Sequence, residues 1–289
     1  MIEEGYAAPD TIEAAVALLN GTEGDIWVMA GGTDVLVQLH TDLIDPDLIV
    51  DIKNIPGIRS ISEESGGFRV GAAMTGMNLM DHKAFGALWP GVIDGVSLIG
   101  SMQVKGRASI GGNLCNASPA ADSVPPLIAA DAVAAITGPN GSREASVADI
   151  VTGPGSTSLG KGEIITSFLF PARPPHSGDA YLRLTPRTEM DIAVVGAGVN
   201  LTLDDSGVCV AARVVLGAVA PTPVVASEAA NALIGTKCDD AALAKMMEAV
   251  RAACNPISDK RGTKNYRIKT AAVIARRAVE KALERARGN

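Results

Sequence analysis

Aromatic residues are scarce in this sequence, and its cysteines and histidines are not spaced like metal ligands. Aromatics make up 3% of the 289 residues, whereas 47% are hydrophobic, so aliphatic side chains must build the core. The four cysteines lie far apart without a CxxC pair, and the three histidines have no ligand-like spacing. This pattern argues against a zinc site or an iron-sulphur cluster held by this chain, and it favours reduced, structural thiols.

Basic runs and long apolar runs are also missing. The net charge is −7 and no run of Lys or Arg could follow a phosphate backbone, so nucleic acid and anionic membrane surfaces are poor partners. The apolar runs, such as IAVVGAGVNL, are shorter than the roughly 20 residues of a membrane span. Because Met1 is followed by IEEGY rather than by a signal segment, we expect a cytoplasmic protein without a membrane span.

Helix and strand patterns alternate in the first part of the chain and divide it into two domains. PDTIEAAVALLNG predicts an opening helix with Asp10 as its cap, and DIWVM predicts a strand that runs into Gly31-Gly32. Proline and glycine in PARPPHSGD predict a linker, beyond which several strands with a DDSG turn precede three helices. We therefore predict an N-terminal domain over 1–174, with subdomains of about 1–55 and 56–174, and a C-terminal domain over 178–289.

Two segments imitate nucleotide-binding motifs without their context. GSTSLGKG has the spacing of a phosphate-binding loop, but Gly162 stands where a Ser or Thr must bind magnesium, and a strand pattern follows it. VVGAGVNL has Leu201 where a dinucleotide fingerprint needs its third glycine, and it continues as an alternating strand. The sequence therefore predicts neither nucleoside triphosphate chemistry nor a separate nicotinamide-binding domain.

Two glycine-rich stretches, AGGTDVL and ASIGGNLCNASPAAD, carry the main functional signal. Glycine lets a ligand approach the main chain without meeting a Cβ, and two such turns facing each other would offer N–H groups to a diphosphate. Polar side chains beside the glycines could add donors (Thr33, Ser109, Asn113 and Asn116) and acceptors for sugar or ribityl hydroxyls (Asp34 and Asp122). The alternative is that both stretches are only tight turns.

The two stretches together resemble the FAD-binding signatures of the flavoprotein subunit of molybdenum hydroxylases. That family includes the medium subunit of aerobic carbon monoxide dehydrogenases and the flavin domain of xanthine dehydrogenases. Three later segments resemble the same family in the same order and extend the resemblance over nearly the whole chain: GEIITSFLFP, AYLRLTPRTEMDIAVV and SDKRGTKNYRIKTAAVIARRAVEKAL.

This resemblance implies an α+β fold with FAD as its cofactor. A two-subdomain α/β FAD-binding domain of the vanillyl-alcohol-oxidase/PCMH-like type would precede a smaller α+β C-terminal domain with an antiparallel sheet and helices. By position, the implied contacts of the first signature are Met29, Ala30, Gly31, Gly32, Thr33 and Asp34 around the diphosphate and Val35 near the isoalloxazine. Those of the second are Ser109, Ile110, Gly111, Gly112 and Asn113 as the facing wall, with Asn116 and Asp122 as polar contacts.

Three further contact residues follow from later segments. Ile165 lies in the strand that closes the FAD domain, and Ile192 occupies the D-[IY]-A position whose side chain covers one flavin face in the family. Arg183 stands where members often have lysine, which keeps the charge but changes the donor geometry. VKGRAS replaces a more usual arginine-asparagine pair, so Lys105 and Arg107 are not expected to act as that pair would, and the resemblance leaves their roles open.

The implied function is that of an electron-transfer flavoprotein subunit. In the family, a large subunit with a molybdenum cofactor oxidises the substrate, a small 2Fe-2S subunit relays electrons, and FAD passes them to NAD+, a quinone or oxygen. The expected assembly is a heterotrimer that can be doubled by symmetry, and no catalytic side chain is predicted because the flavin supplies the chemistry. Two alternatives stay open: a self-sufficient FAD-dependent oxidoreductase with its own substrate, and a non-catalytic FAD-binding assembly component.

Overall fold

The computed structural model describes residues 2–3 and 5–288, so Met1 and Glu4 of the opening segment and Asn289 lie outside the described residues. The elements up to residue 170 are β1 (Ile2–Glu3), β2 (Tyr6–Ala7), α1 (Ile12–Gly21), β3 (Ile26–Met29), α2 (Val35–His40), β4 (Leu48–Asp51), β5 (Ile61–Glu64), β6 (Gly67–Gly71), α3 (Gly76–Asp81), α4 (Lys83–Leu88), α5 (Pro90–Ser97), α6 (Met102–Lys105), α7 (Ile110–Cys115), α8 (Val124–Ala129), β7 (Val133–Gly138), β8 (Gly141–Ser146), β9 (Val151–Gly153), β10 (Ser156–Thr157) and β11 (Ile164–Phe170). The remaining elements are β12 (Ser177–Leu184), β13 (Val195–Leu203), β14 (Cys209–Gly217), β15 (Val224–Val225), α9 (Ser227–Asn231), α10 (Asp240–Ala253) and α11 (Lys264–Gly288).

Two sheets organise the first part of the chain. In the first sheet β4 lies between β2 and β3 and is parallel to both, while β1 pairs with β2 in the antiparallel sense. The second sheet is antiparallel throughout, in the order β5-β6-β11-β7-β8. Both sheets contribute to one hydrophobic cluster, and α5, α7 and α8 pack into it. The end of β3 leads into the first glycine stretch, where Gly31 packs against the backbone of Arg107 and Ala108 at the start of the second.

Four of the nine aromatic side chains gather at one place in this cluster. Phe85 makes edge-to-face contacts with Phe68 and Phe170, at ring-centroid distances of 5.6 and 4.9 Å. Trp89 lies 6.1 Å from Phe170, and the guanidinium of Arg173 lies over the Trp89 ring. Such ring pairs are worth roughly 0.5–1.5 kcal/mol beyond their buried area, so a low aromatic content still anchors β6, β11 and α4 together.

Helix α1 begins one residue later than the sequence indicated. The expected cap was Asp10, but Thr11 has the extended backbone of a cap and its hydroxyl accepts a hydrogen bond from the N–H of Ala14 at 3.1 Å. The prediction of Asp10 was therefore wrong. Thr75 caps α3 in the same way, because its hydroxyl accepts a hydrogen bond from the N–H of Asn78.

Replacing the two neighbouring residues should separate their roles. Thr11→Ala is expected to lower the free energy of unfolding by about 1 kcal/mol, because an N–H of α1 loses its acceptor. Asp10→Ala is the matched control and should change it by no more than about 0.5 kcal/mol, as at most exposed positions. Urea denaturation of the two variants checks this, and an equal or larger loss for Asp10→Ala would contradict the capping assignment.

The second part of the chain is a four-stranded antiparallel sheet, in the order β12-β13-β14-β15, covered by helices. Alternate residues of β13 face α9, α10 and α11 and form a second hydrophobic cluster that includes Val195, Ala197, Val199 and Leu201. The long helix α11 carries its apolar stripe into the same cluster. The predicted fold class is confirmed: an α/β part with a mixed sheet is followed by a smaller part with an antiparallel sheet and helices.

The opposite face of this sheet packs against the first part of the chain. Gly198 of β13 lies so close to Pro125 of α8 that an added Cβ would stand 2.8 Å from the Pro125 backbone. Charged groups join the parts as well: Asp94 of α5 accepts hydrogen bonds from Lys281 and Arg285 of α11, at 3.0 and 2.7 Å. The two parts are thus held by direct backbone packing and by partly buried ion pairs. The predicted domain limits, at 174 and 178, stay a prediction.

Membrane insertion by a helix finds no support in the described part of the chain, where no helix combines the length and the apolar character needed to span a bilayer.

Candidate functional site

A cavity of about 770 Å³ lies between the two parts of the molecule and is lined by both glycine stretches. Further walls come from segments around 99–104, 157–165 and 190–192. The volume falls within the range of cavities that bind cofactors and other organic ligands. Residues distant in the chain thus converge on one site, and the first glycine stretch forms its wall at the end of β3.

The first stretch presents unpaired backbone N–H groups to this cavity. β3 ends at Met29, Gly32 adopts a φ of +76°, and α2 begins at Val35. Gly32 is needed there because side chains rarely adopt that backbone conformation. Among the described residues, none of the amides from Gly31 to Val35 has a hydrogen-bond acceptor. Five neighbouring amides are therefore free to donate, and a turn of this kind can surround an anionic group.

Most backbone amides of the second stretch already donate hydrogen bonds within the protein. The N–H of Gly111 donates to the carbonyl of Ala72 at 3.0 Å, and that of Gly112 donates to the hydroxyl of Ser109 at 3.1 Å. Ser109 is buried and caps α7, and its backbone forms a bridge to Thr75. This wall offers fewer free donors than the first, so its main contribution is a rigid surface of small residues.

Two contacts join the glycine stretches directly. The Nε of Arg107 donates to the carbonyl of Gly31 at 3.0 Å, and the amide of Asn116 donates to Oδ1 of Asp34 at 3.3 Å. Partial burial raises the pKa of Asp34, although a hydrogen bond with Thr33 opposes this effect. Arg107, to which the sequence assigned no role, thus positions the turn at Gly31.

A buried charge cluster closes one end of the cavity. Asp122 accepts hydrogen bonds from the hydroxyl of Tyr181, at 2.8 Å, and from the guanidinium of Arg183. Tyr181 and Arg183 lie two residues apart on β12, so both project from the same face of the sheet. Burial raises the pKa of Asp122 to about 6, although the Arg183 charge and the hydrogen bonds from Tyr181 and Arg183 lower it.

The loop between β12 and β13 forms the mouth of the cavity. Asp191 organises it by accepting hydrogen bonds from the N–H groups of Arg187, at 3.0 Å, and Ile192, at 2.8 Å. Ile192 is 49% exposed and Met190 is 55% exposed, yet both line the cavity. Apolar side chains exposed at the entrance of a cavity are available to cover a flat ligand.

Most residues singled out in the sequence line this cavity. They are Ala30, Gly31, Gly32, Thr33, Asp34, Val35, Ser109, Gly111, Gly112, Asn113, Asn116, Asp122, Ile165 and Ile192. Met29, Ile110 and Arg183 lie behind the wall: the first two are buried in the core, and Arg183 reaches the cavity only through Asp122.

Sequence reasoning missed the cavity wall formed by Thr157, Leu159, Glu163 and Ile164. Part of this wall belongs to the segment that imitates a phosphate-binding loop; β10 lies within that segment, and the strand β11 follows it instead of a helix, as the sequence predicted. Gly196 and Gly198 lie within β13, which confirms the strand reading of the second imitation. No spacing signal could have found the missed wall, because only the pairing of β11 with β6 and β7 places it beside the glycine stretches.

Comparisons with known proteins agree over the whole chain. Residues 2–173 match the family model described as FAD binding domain in molybdopterin dehydrogenase, and residues 180–282 match the CO dehydrogenase flavoprotein C-terminal domain. The carbon monoxide dehydrogenase medium chain of Afipia carboxidovorans is 36% identical over 98% of this chain and 97% of its own length. The xanthine dehydrogenase FAD-binding subunit of Escherichia coli O157:H7 is 32% identical over the same shares.

Solved structures give the same result. A chain of the Cu,Mo-CO dehydrogenase in its cyanide-inactivated form matches with a TM-score of 0.93 at 35% identity, covering 99% of this chain and 100% of that chain. A chain of quinoline 2-oxidoreductase from Pseudomonas putida 86 matches with a TM-score of 0.89 at 28% identity, covering 99% and 98%. The similarity thus includes both parts of the molecule and their arrangement.

Proposed function

This chain belongs to the family of FAD-binding subunits of molybdenum hydroxylase-type oxidoreductases, and we propose that it holds FAD in the cavity between its two parts as an electron-transfer centre. The observation that carries this assignment is the row of five unpaired amides from Gly31 to Val35 on the wall of a 770 Å³ cavity. A diphosphate carries about two negative charges and needs several such donors. FAD combines that group with a large aromatic ring system.

The residues of the cavity fit the different parts of this cofactor. The amides of the first glycine turn would bind the diphosphate, and the small residues of the second stretch would let it approach. Asp34 and Asn116 already hydrogen-bond to each other across the site, so their remaining donor and acceptor capacity suits sugar hydroxyls. Ile192 and Met190 at the mouth would cover the ring and exclude water from it.

Bound FAD supplies the redox chemistry, since it can accept electrons one at a time and release them in pairs. The chain's own residues would bind, orient and shield it. Asp122 would be held by Tyr181 and Arg183, so that its carboxylate keeps a fixed position at the end of the cavity. No side-chain nucleophile is required in this role.

The proposed partners are a 2Fe-2S subunit that delivers electrons and a subunit with a molybdenum cofactor that oxidises the substrate. Relatives named as carbon monoxide dehydrogenase medium chain and xanthine dehydrogenase FAD-binding subunit support this assembly, a heterotrimer that can dimerise. NAD+, a quinone or oxygen would take the electrons from the flavin. We further propose a cytoplasmic location and a boundary between the FAD-binding and C-terminal domains at 174–178.

Flavin binding by the purified chain tests the site. We expect a flavin absorption spectrum, with FAD identified by mass after heat release. When the chain freed of flavin is titrated, FAD should bind about a hundredfold more tightly than FMN, because FMN lacks the diphosphate bridge that the unpaired amides would bind. Fluorescence quenching of each flavin gives both affinities.

Equal affinities for FAD and FMN would show that the glycine turn does not bind the diphosphate. Failure to bind either flavin, both alone and when co-expressed with the partner subunits, would overturn the proposed site. Reduction of the bound flavin by an organic substrate without partner subunits would instead favour a self-sufficient oxidoreductase. Flavin that binds but cannot be reduced in the assembled complex would favour an assembly component.

A further inference from the structure

Two of the four cysteines, Cys209 and Cys238, lie in the hydrophobic cluster of the C-terminal part, and neither lines the flavin cavity. Cys209 begins β14, and Cys238 lies in the turn before α10, at the edge of the second hydrophobic cluster. The backbone of Cys209 is paired on both sides with that turn: its N–H donates to the carbonyl of Thr236, and its carbonyl accepts from Gly235, each at 2.8 Å. Both side chains belong to the same hydrophobic cluster, and each thiol affects the ionisation of the other.

The two thiols have unequal surroundings. The neighbouring Cys209 thiol and the charge of Arg287 lower the pKa of Cys238, although burial opposes them. The thiol of Cys209 hydrogen-bonds to the Ala211 carbonyl at 3.3 Å, and its contact with Cys238 raises its pKa. A thiolate is the reactive form of cysteine, and Cys238 also keeps more exposure than Cys209, 6% against 0%, so Cys238 is the better nucleophile.

The turn that carries Cys238 can expose it. Its neighbours Lys237 and Asp239 are exposed, although Cys238 itself is buried. Cys238 has a φ of +52°, a conformation that costs a residue with a side chain of order 1 kcal/mol and that is found often at functional sites. A small local movement of this turn would therefore admit a molecule as small as a peroxide.

We propose that Cys209 and Cys238 form a redox-active dithiol, which hydrogen peroxide oxidises to an intramolecular disulfide. The Cys238 sulfur attacks one peroxide oxygen, the O–O bond breaks, and a sulfenic acid and one water form. The Cys209 sulfur then attacks the Cys238 sulfur, the S–O bond breaks, and the hydroxyl leaves with the Cys209 proton as a second water. Two thiols and one peroxide thus give one disulfide and two waters, with two electrons passing from sulfur to oxygen.

The disulfide would connect the first residue of β14 to the turn that leads into α10. That connection closes a loop containing β14, β15 and α9, so it would restrain the edge of the C-terminal sheet. A thiol reductant reverses the reaction. The inference does not depend on the proposed flavin site, since neither cysteine lines that cavity.

Peptide mapping after oxidation tests the pair. The purified chain is treated with about one equivalent of hydrogen peroxide, unfolded in a thiol-alkylating reagent and digested. We expect a peptide pair joined through Cys209 and Cys238 that has lost two hydrogen atoms and that a thiol reductant separates again. Absence of this peptide pair at a large excess of peroxide would overturn the proposal, and the measurement needs no variant.

Variants test the two roles. In Cys209→Ser, the sulfenic acid of Cys238 should persist and be trapped by dimedone, whereas Cys238→Ser should trap about tenfold less adduct on Cys209. Cys254→Ser is the matched control, because Cys254 is also buried in the second cluster but donates to the Val250 carbonyl instead of contacting a thiol. It should form the Cys209–Cys238 disulfide at the wild-type rate. Equal adducts on Cys209 and Cys238 would overturn the assignment of the nucleophile.

Discussion

Gly31→Ala is expected to lower the affinity of the chain for FAD by about a hundredfold or more. The added Cβ would overlap the carbonyl group of Arg107 and come within 3.0 Å of the backbone nitrogen of Ala108. Backbone atoms cannot move aside as a flexible side chain can, so the two glycine stretches must separate. The Arg107 to Gly31 hydrogen bond would be lost, and the unpaired amides of the first stretch would no longer face the second.

Gly21→Ala is the matched control for this prediction. Gly21 ends α1, and an added Cβ there would meet no atom within 4 Å. FAD titration of both variants and the parent chain gives the comparison, and circular dichroism verifies that each variant is folded. A folded Gly31→Ala chain that binds FAD as tightly as the parent would show that the contact between the stretches does not shape the site.

The second large effect is expected from Arg183→Met. This change leaves Asp122 buried without its cationic partner, which typically destabilises a fold by about 3–5 kcal/mol. We expect a loss of that size at pH 8, measured by urea denaturation. Arg276→Met is the control: Arg276 pairs with Glu280 and Asp240 on the surface, and its loss should cost less than about 1 kcal/mol.

The pH dependence distinguishes loss of the charge pair from loss of packing. In the folded chain the pKa of Asp122 is raised to about 6 from its ordinary value of 3.8, so the folded state binds more protons between these values. Its contribution to stability is therefore present at low pH and is lost as pH rises through 6. Removing Arg183 removes an influence that lowers this pKa, so the penalty in Arg183→Met should shrink as pH falls from 8 to 5. A penalty independent of pH would indicate that only packing was lost.

The sequence predicted the elements and the glycine stretches well because their signals are local. The strand that ends before Gly31-Gly32 and the three C-terminal helices depend on residues close together in the chain. Resemblance to a known family supplied the cofactor and the order of the domains. Neither source indicated that the amide of Gly111 is occupied, because its acceptor is the distant carbonyl of Ala72.

The partners of Asp122 could not be predicted from the sequence either. From its place beside the second stretch, the sequence indicates only an acceptor for a sugar hydroxyl. In the fold it meets Tyr181 and Arg183, about sixty residues away in the chain, because β12 presents alternate residues to the first part of the molecule. Burial and partner choice are properties of that packing, so residue type and spacing could not predict the pairing.

Gly196 and Gly198, the glycines that imitate a dinucleotide fingerprint, restrict how such chains can be recombined. An added Cβ at Gly196 would overlap the Tyr181 hydroxyl, and one at Gly198 would press on the backbone of Pro125. A chimera that takes β13 from a relative must therefore keep both positions free of side chains, or α8 and Tyr181 lose their places. Because Tyr181 holds Asp122, a poorly matched graft would disturb the cavity from behind although every residue lining it is unchanged.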